Sequence, residues 1–259
     1  MGASSLIDIH SHILPEVDDG ALTMEEAVSM AKLAVNEGIT KIIATPHHQN
    51  GAFFNRKQDI LKRVKELNYV FQRENISLEV LPGQETRIYG DLLEDLEKGD
   101  ILTLNHTNYL FIELPSGYVP RYTEQLLFEV LLKGLTPIIV HPERNAGFIE
   151  NPEKLLNLVK KGTLTQVTTN SLIGHFGKKI QKFSMQLIEA NLTHFIASDA
   201  HNISTRSFRI KESIDEIDKE FGREAVYYFQ ENAELLIQGQ TVYKQEPSHI
   251  KRKKFLGFF

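Results

Sequence analysis

The stretch Leu6-Ile7-Asp8-Ile9-His10-Ser11-His12 is a short apolar run that ends in two histidines two residues apart. Side chains at i and i+2 of an extended chain point the same way, so His10 and His12 present two imidazoles in one direction. Six more β-rich runs come after it, at residues 41–45, 78–82, 109–113, 136–140, 165–168 and 194–197. Helix-period segments separate them, at 23–36, 55–74, 91–97, 122–132, 152–160, 178–190 and 207–221, the last followed by two short helical pieces through 237. Thr23 with Glu26 three residues later reads as a capping box and Gly38 as the stop of the first helix. Strand and helix in strict alternation predict parallel βα units, and with no linker or low-complexity segment a single barrel-like domain of about seven units fits best.

In a β/α barrel, chemistry sits at the C-terminal ends of the strands. After the first run and its two histidines, the second run ends in Pro46-His47-His48, the third in Gly83-Gln84-Glu85 and the fourth in Glu113. The fifth ends in His141-Pro142-Glu143-Arg144 and the seventh in Asp199-Ala200-His201, while the sixth, Thr168-Thr169-Asn170, offers no obvious ligand. One histidine at a strand end reads as a hydrogen-bonded structural residue. Histidine or carboxylate at the same edge of six runs reads as a metal site, because the fold gives no structural reason for such residues to recur only there.

Composition narrows the chemistry. The chain has 259 residues, 41% hydrophobic and 24% charged, which is the make-up of a globular protein. Zero cysteines remove disulfide frameworks, thiolate zinc, iron–sulfur clusters and thiolate nucleophiles. Imidazole with carboxylate suits zinc, manganese, iron or cobalt better than an all-oxygen cage for magnesium or calcium. The candidate ligands exceed what one ion takes, so two or three ions sharing a carboxylate is the economical arrangement. Such ions lower the pKa of bound water from about 15.7 toward neutrality and supply hydroxide as nucleophile. Arg144 and Arg206 fall beside the same edge, where guanidinium groups suit phosphoryl oxygens. With 29 Lys plus Arg against 34 Asp plus Glu, the net charge of −5 provides no basic face for nucleic acid. No stretch approaches the roughly 20 apolar residues of a membrane span, and the start lacks a signal-peptide pattern, so a cytoplasmic location is expected.

The segments Ile7-Asp8-Ile9-His10-Ser11-His12-Ile13-Leu14-Pro15, Asp18-Asp19-Gly20, Ala44-Thr45-Pro46-His47-His48, Leu81-Pro82-Gly83-Gln84-Glu85, His141-Pro142-Glu143-Arg144 and Ala197-Ser198-Asp199-Ala200-His201 resemble the polymerase-and-histidinol-phosphatase (PHP) domain. More narrowly, the chain is similar to the manganese-dependent bacterial protein-tyrosine phosphatases encoded with capsular or exopolysaccharide genes. The resemblance implies a distorted seven-stranded (β/α)7, TIM-like barrel over residues 1–247 and two to three ions per chain. Manganese is the implied metal, with iron, zinc, cobalt or magnesium as other candidates. It implies a first ion on His10, His12, Glu85 and Asp199, a second on Glu85, Glu113 and His141, and a third on Asp19, His47 and His201. Arg144 and Arg206 would bind the phosphoryl group, with Asp199 alongside them in catalysis. Asp18 and His48, beside Asp19 and His47, would lie behind the ligands or at the surface. The implied partners are phosphotyrosine proteins, among them a bacterial tyrosine kinase and its substrates in capsule and exopolysaccharide synthesis. That kinase would bring the protein near the membrane, and homo-oligomers are also implied.

Other readings are a PHP phosphoesterase acting on a small ester such as histidinol phosphate, a DNA exonuclease, and a metal-bearing scaffold that binds phosphoproteins without cleaving them. The loops at 50–54 and 117–122 read as lid or open rim. The tail at 248–259 interleaves basic and aromatic residues, and reads either as solvated chain or as a docking element for an anionic membrane or an acidic kinase tail. Met24, Ala27, Met30, Ala31 and Ala34, like Leu126, Leu127 and Val130, recur at helical spacing and are expected in the core.

Overall fold

A computed structural model describes residues 6–250. The first β-rich run forms β1 (Leu6–Ser11). The second is divided into β2 (Ile39–Ala44) and β3 (His47–His48) at Thr45-Pro46, where proline has no N–H to give a ladder. The third is followed across Gly83-Gln84 by a resumed strand, giving β4 (Glu79–Pro82) and β5 (Glu85–Arg87). The remaining runs become β6 (Tyr109–Glu113), β7 (Thr136–Val140), β8 (Leu164–Thr168) and β9 (Phe195–Ala197).

All of these strands pair in parallel, but in two ladders: β1-β2-β4, and β3-β5-β6-β7-β8-β9. The expected α/β architecture of parallel strands is present, but the strands form two ladders rather than one closed seven-stranded ring, with β1 and the segment after β9 joined by an isolated parallel bridge from Ser11 to Ala200. The chain passes from the small sheet to the large one at each interruption, at Pro46 and at Gly83-Gln84. Buried Gln84 satisfies the backbone there, donating from Nε2 to Asn55 O at 2.6 Å and accepting from Leu102 N–H at 2.9 Å. Beyond β9, Asp199 N–H donates to His10 O and His12 N–H to Ala200 O, at 2.9 and 2.8 Å, which holds the end of β1 beside the segment after β9.

The helices that flank the sheets are α1 (Met24–Asn36), α2 (Lys57–Arg73), α3 (Leu92–Lys98), α4 (Thr123–Leu132), α5 (Ala146–Glu150), α6 (Glu153–Lys160), α7 (Thr169–Leu172), α8 (Lys178–Glu189), α9 (Ile210–Phe221) and α10 (Arg223–Ile237). Thr23 caps α1 by accepting from Glu26 N–H, and Glu26 reaches back to Leu22 N–H rather than to the cap residue itself. The two short pieces expected before 237 are one 15-residue helix, α10. Gly222, at φ 81°, supplies the turn that separates α10 from α9, and neither glycine nor proline interrupts residues 223–237.

The two sheets and their helices bury separate apolar layers. Ile9, Ile43, Phe111, Ile138, Leu164 and Phe195 project from different strands into one cluster between the strands. Ala27, Met30, Ala31 and Ala34 of α1 pack on the small sheet, and Leu126, Leu127 and Val130 of α4 pack on the large one, while Met24 is partly buried. Among the described residues no helix is long and apolar enough to cross a membrane. Of the tail, 251–259 lie outside the described residues; Ser248 N–H donates to Ala190 O at 2.9 Å.

The step between β4 and β5 depends on a residue without a side chain. A Cβ on Gly83 would lie 2.5 Å from Ile43 Cγ2 and 3.0 Å from Leu104 Cδ2. Gly83→Ala is expected to cost about 1–3 kcal/mol through overpacking, read as a lower Tm. Gly90→Ala, where an added Cβ meets nothing within 4 Å, serves as the control and leaves Tm nearly unchanged.

Candidate metal centre

The strand ends gather the predicted residues at one edge. His10 is on β1, His47 on β3, Glu85 on β5 and Glu113 on β6, with His12, His141, Asp199 and His201 in the segments just after their strands. Asp19 reaches the edge from the turn before α1. His141 and Asp199 adopt left-handed backbone, at φ 35° and 53°, a conformation that costs non-glycine residues energy and clusters at functional sites.

Ligand atoms of His10, His12, Glu85 and Asp199 lie within 4.8 Å of one another, as do those of His12, Asp19, His47 and His201. A third such group holds His47, Glu85 and Glu113. His141 lies outside these groups, its Nε2 2.8 Å from Glu85 Oε1, so His47 stands where the resemblance placed His141. Glu85 takes part in two of the groups.

Three imidazoles are turned so that Nε2 faces inward. Gln166 donates its amide to Val167 O, so its oxygen is the atom 2.9 Å from His10 Nδ1, and that nitrogen carries the proton. Asp18 Oδ2 holds His12 Nδ1 at 2.7 Å, and Asp199 O holds His201 Nδ1 at 2.9 Å. Metal-binding histidines are fixed in this way, through the nitrogen that does not ligate. Glu85 Oε2, Glu113 Oε2, His47 Nδ1 and His201 Nε2 are buried without a hydrogen-bond partner. Buried polar atoms are expensive when unsatisfied, and these converge on one another, so the donor set fits divalent cations.

The electrostatics follow from burial. Burial opposes ionisation of Glu85, yet the surrounding His47 and His10 outweigh it and hold the carboxyl well below its usual range. Burial, followed by the charge of Glu85, pushes Glu113 up to about 7. Asp199 is likewise buried and held low by Arg144 and His10. His12 would be depressed by burial, but Asp18 raises it well above the ordinary value. Burial and Arg144 lower His141 to about 3, and burial and His12 lower His201 to about 4.

A cavity of about 280 Å³ opens beside the cluster, lined by Arg87, Glu113, His141, Arg144, Asp199 and Arg206 among others. Arg144 and Arg206 both donate to Asp199 Oδ2, at 2.7 and 2.9 Å. The loop at 50–54 places Phe53 parallel to the His47 ring at 6.2 Å, while Tyr118 of the loop at 117–122 is exposed. Asp18 lies behind His12, whereas His48 is buried against Phe54 and joins none of the groups. Sequence reasoning missed Gln166, Arg87 and Glu143. Glu143 is buried and accepts from Thr168 and Ser171 beneath the turn that carries His141 and Arg144. Arg87 was findable by the i, i+2 rule from Glu85, whereas Gln166 lies on β8, whose end carries no ligand-type residue.

A family model described as capsular polysaccharide synthesis, CpsB/CapC, matches residues 6–238. Tyrosine-protein phosphatase YwqE of Bacillus subtilis (strain 168) is 50% identical over 254 residues, covering 98% of this chain and 100% of the relative. The putative tyrosine-protein phosphatase CapC of Staphylococcus aureus is 38% identical over 253 residues, covering 97% and 99%. A solved structure from the work on YwqE from Bacillus subtilis and CpsB from Streptococcus pneumoniae, described as unique metal-dependent tyrosine phosphatases, has a TM-score of 0.93. It is 50% identical and covers 95% of this chain and 100% of its own. Histidinol phosphate phosphatase from Lactococcus lactis, at a TM-score of 0.54, 14% identity and coverage of 85% and 94%, shares the fold. The chain belongs to the CpsB/CapC family of capsular polysaccharide synthesis.

Proposed function

We propose that the protein is a metal-dependent protein-tyrosine phosphatase that hydrolyses phosphotyrosine on proteins. The observation that carries this reading is the convergence of the three ligand groups on a cavity flanked by two arginines that share Asp199. Full-length similarity to named tyrosine phosphatases supports the substrate class. The finer reading is that manganese occupies the site, in two to three ions, and that a bacterial tyrosine kinase and its substrates in capsule synthesis are dephosphorylated in the cytoplasm.

His10, His12, Glu85 and Asp199 would hold one ion, Glu85 and Glu113 with His47 or His141 a second, and Asp19, His47 and His201 a third. When bound, the ions supply Lewis acidity and a water nucleophile of lowered pKa. Asp199 divides its oxygens: Oδ1 faces His10 and His12, at 3.4 and 3.2 Å, and Oδ2 anchors both arginines. A guanidinium has five donors, so Arg144 and Arg206 keep N–H groups for phosphoryl oxygens while anchored. Their geometry is thereby set before substrate arrives, which favours stabilising charge as it develops. His141, with its pKa at about 3, is neutral and donates no proton at physiological pH. The leaving phenolate needs little such help, since tyrosine's own pKa is about 10.

Chelation is expected to abolish release of phosphate from a phosphotyrosine peptide and added Mn2+ to restore it; metal-replete protein that releases none would sink the proposal. Turnover of histidinol phosphate, run alongside, separates the protein phosphatase from a small-ester enzyme. His10→Ala and Glu85→Ala are expected to lose metal by elemental analysis. Because Arg206 still holds Asp199 Oδ2, Arg144→Ala is expected to keep its metal and lower kcat by about 10²–10³-fold, as removal of one preorganised donor does. Ligation also requires deprotonated side chains. Glu113, near 7, is mostly protonated at about pH 6 and mostly ionised at about pH 8, so Mn2+ uptake releases more protons at the lower pH. Calorimetry in buffers of different ionisation enthalpy measures this, and equal release at both pH values would count against Glu113 as a ligand.

A further inference from the structure

Arg87 is a third arginine at the cavity wall, and its contacts differ from those of the other two. Strand alternation on β5 puts Glu85 and Arg87 on one face, with Thr86 on the other. The β5–β6 register then sets Arg87 directly opposite Glu113. Arg87 Nη2 lies 3.1 Å from Glu113 Oε1. The other oxygen, Oε2, is buried without a hydrogen-bond partner and lies 3.7 Å from His47 Nδ1. Arg87 Nε is also buried without a partner, so the Glu113 contact is what fixes the guanidinium. Arg144 and Arg206 do the equivalent for Asp199, leaving Oδ1 to the imidazoles.

We propose that Arg87 is a positioning residue for the ion shared by Glu85 and Glu113: by taking Oε1 it turns Oε2 of Glu113 toward Glu85 and His47. The proposal rests on the metal-phosphatase reading above. A glutamate side chain has rotatable bonds and two equivalent oxygens, and it also faces the like charge of Glu85. Without a partner on Oε1 it has no reason to keep one oxygen aimed at the cluster. The guanidinium supplies both the direction and an opposing charge, at a site only 10% exposed on the Glu113 side. Losing such an orienting partner typically costs 10–100-fold in metal affinity.

The test is Arg87→Gln in the full-length protein, titrated with Mn2+ while free ion is followed by electron paramagnetic resonance. One class of site is expected to weaken by about 10–100-fold with the others unchanged. Saturating Mn2+ is expected to restore kcat on a phosphotyrosine peptide, with KM as in the parent. Tm reports folding, and Arg87→Lys, which keeps the charge but not the planar fork, guards against a misfolded variant by showing the same change in smaller measure. A Mn2+ titration identical to the parent overturns the assignment. So does a KM raised tenfold that saturating Mn2+ leaves unchanged, which would make Arg87 a phosphate-binding group instead. A parent protein without metal-dependent turnover would sink the phosphatase reading, whereas an active parent with an unaltered Arg87→Gln titration removes the Arg87 assignment alone.

Discussion

Glu85 is the interaction on which the edge of the fold depends. It has no exposed surface, and an ionised carboxylate in such a place is costly unless opposite charge and hydrogen bonds surround it. Four imidazoles crowd it: neutral His141 hydrogen-bonds Oε1 at 2.8 Å, while His47, His12 and His10 approach Oε2 at 2.9, 3.3 and 3.5 Å, with His47 and His10 supplying the charge that holds it ionised. These come from β7's end, β3 and β1, while Glu85 itself begins β5. The buried charge therefore ties together strands of both sheets, and the two ladders meet around it.

The other carboxylates repeat a division of labour that Glu85 alone escapes. Asp199, Glu113, Asp18 and Asp19 each turn one oxygen toward an imidazole, and set the other against a guanidinium or a backbone N–H. Where the second partner is an arginine lining the cavity, the same contact that orients a candidate ligand also places a cation at the wall. Support of the ligands and readiness for an anion are in this sense one structural device. In this acidic chain it sets Arg87, Arg144 and Arg206 at the cavity wall, each paired with a carboxylate, Glu113 or Asp199, that lines the same cavity.

Much of this was legible in the sequence because strand ends and i, i+2 spacing are local properties. His10 with His12 follows from alternation, whereas Asp199 and His201 reach the same edge through left-handed backbone at Asp199, beyond the end of β9. The edge to which Glu113 and His141 belong follows from the βα order. Ladder membership was not legible. Whether Pro46 and Gly83-Gln84 merely bend a strand or hand the chain to a second sheet depends on what packs behind them, here Ile43, Leu104 and the Gln84 side chain. Gln166 was hidden for a related reason: glutamine is not a ligand, so a search for ligands passes over β8, although its side chain fixes the proton on His10. Nor does spacing say which of His47 and His141 faces Glu113, since both project from strand ends and side-chain rotation decides.

The left-handed backbone at His141 and Asp199 bears on how such a site is sustained. Each conformation costs of order 1–3 kcal/mol for a residue with a Cβ, yet both positions carry side chains that reach the cluster, His141 to Glu85 and Asp199 to Arg144 and Arg206. Something outside the two residues must hold them. Below His141, Glu143 is buried and gripped by Thr168 and Ser171, and His141 N–H donates to Gln166 O at 2.8 Å. Around Asp199, the N–H donates to His10 O, while Ser198 donates from both N–H and Oγ to the buried carboxylate of Asp8. Burial raises Asp8 to about 6, so even this support carries an electrostatic cost. A chain selected for stability alone would place relaxed turns at both positions, and the buried polar network beneath them is the physical sign that the geometry of the edge was kept at the expense of its local comfort.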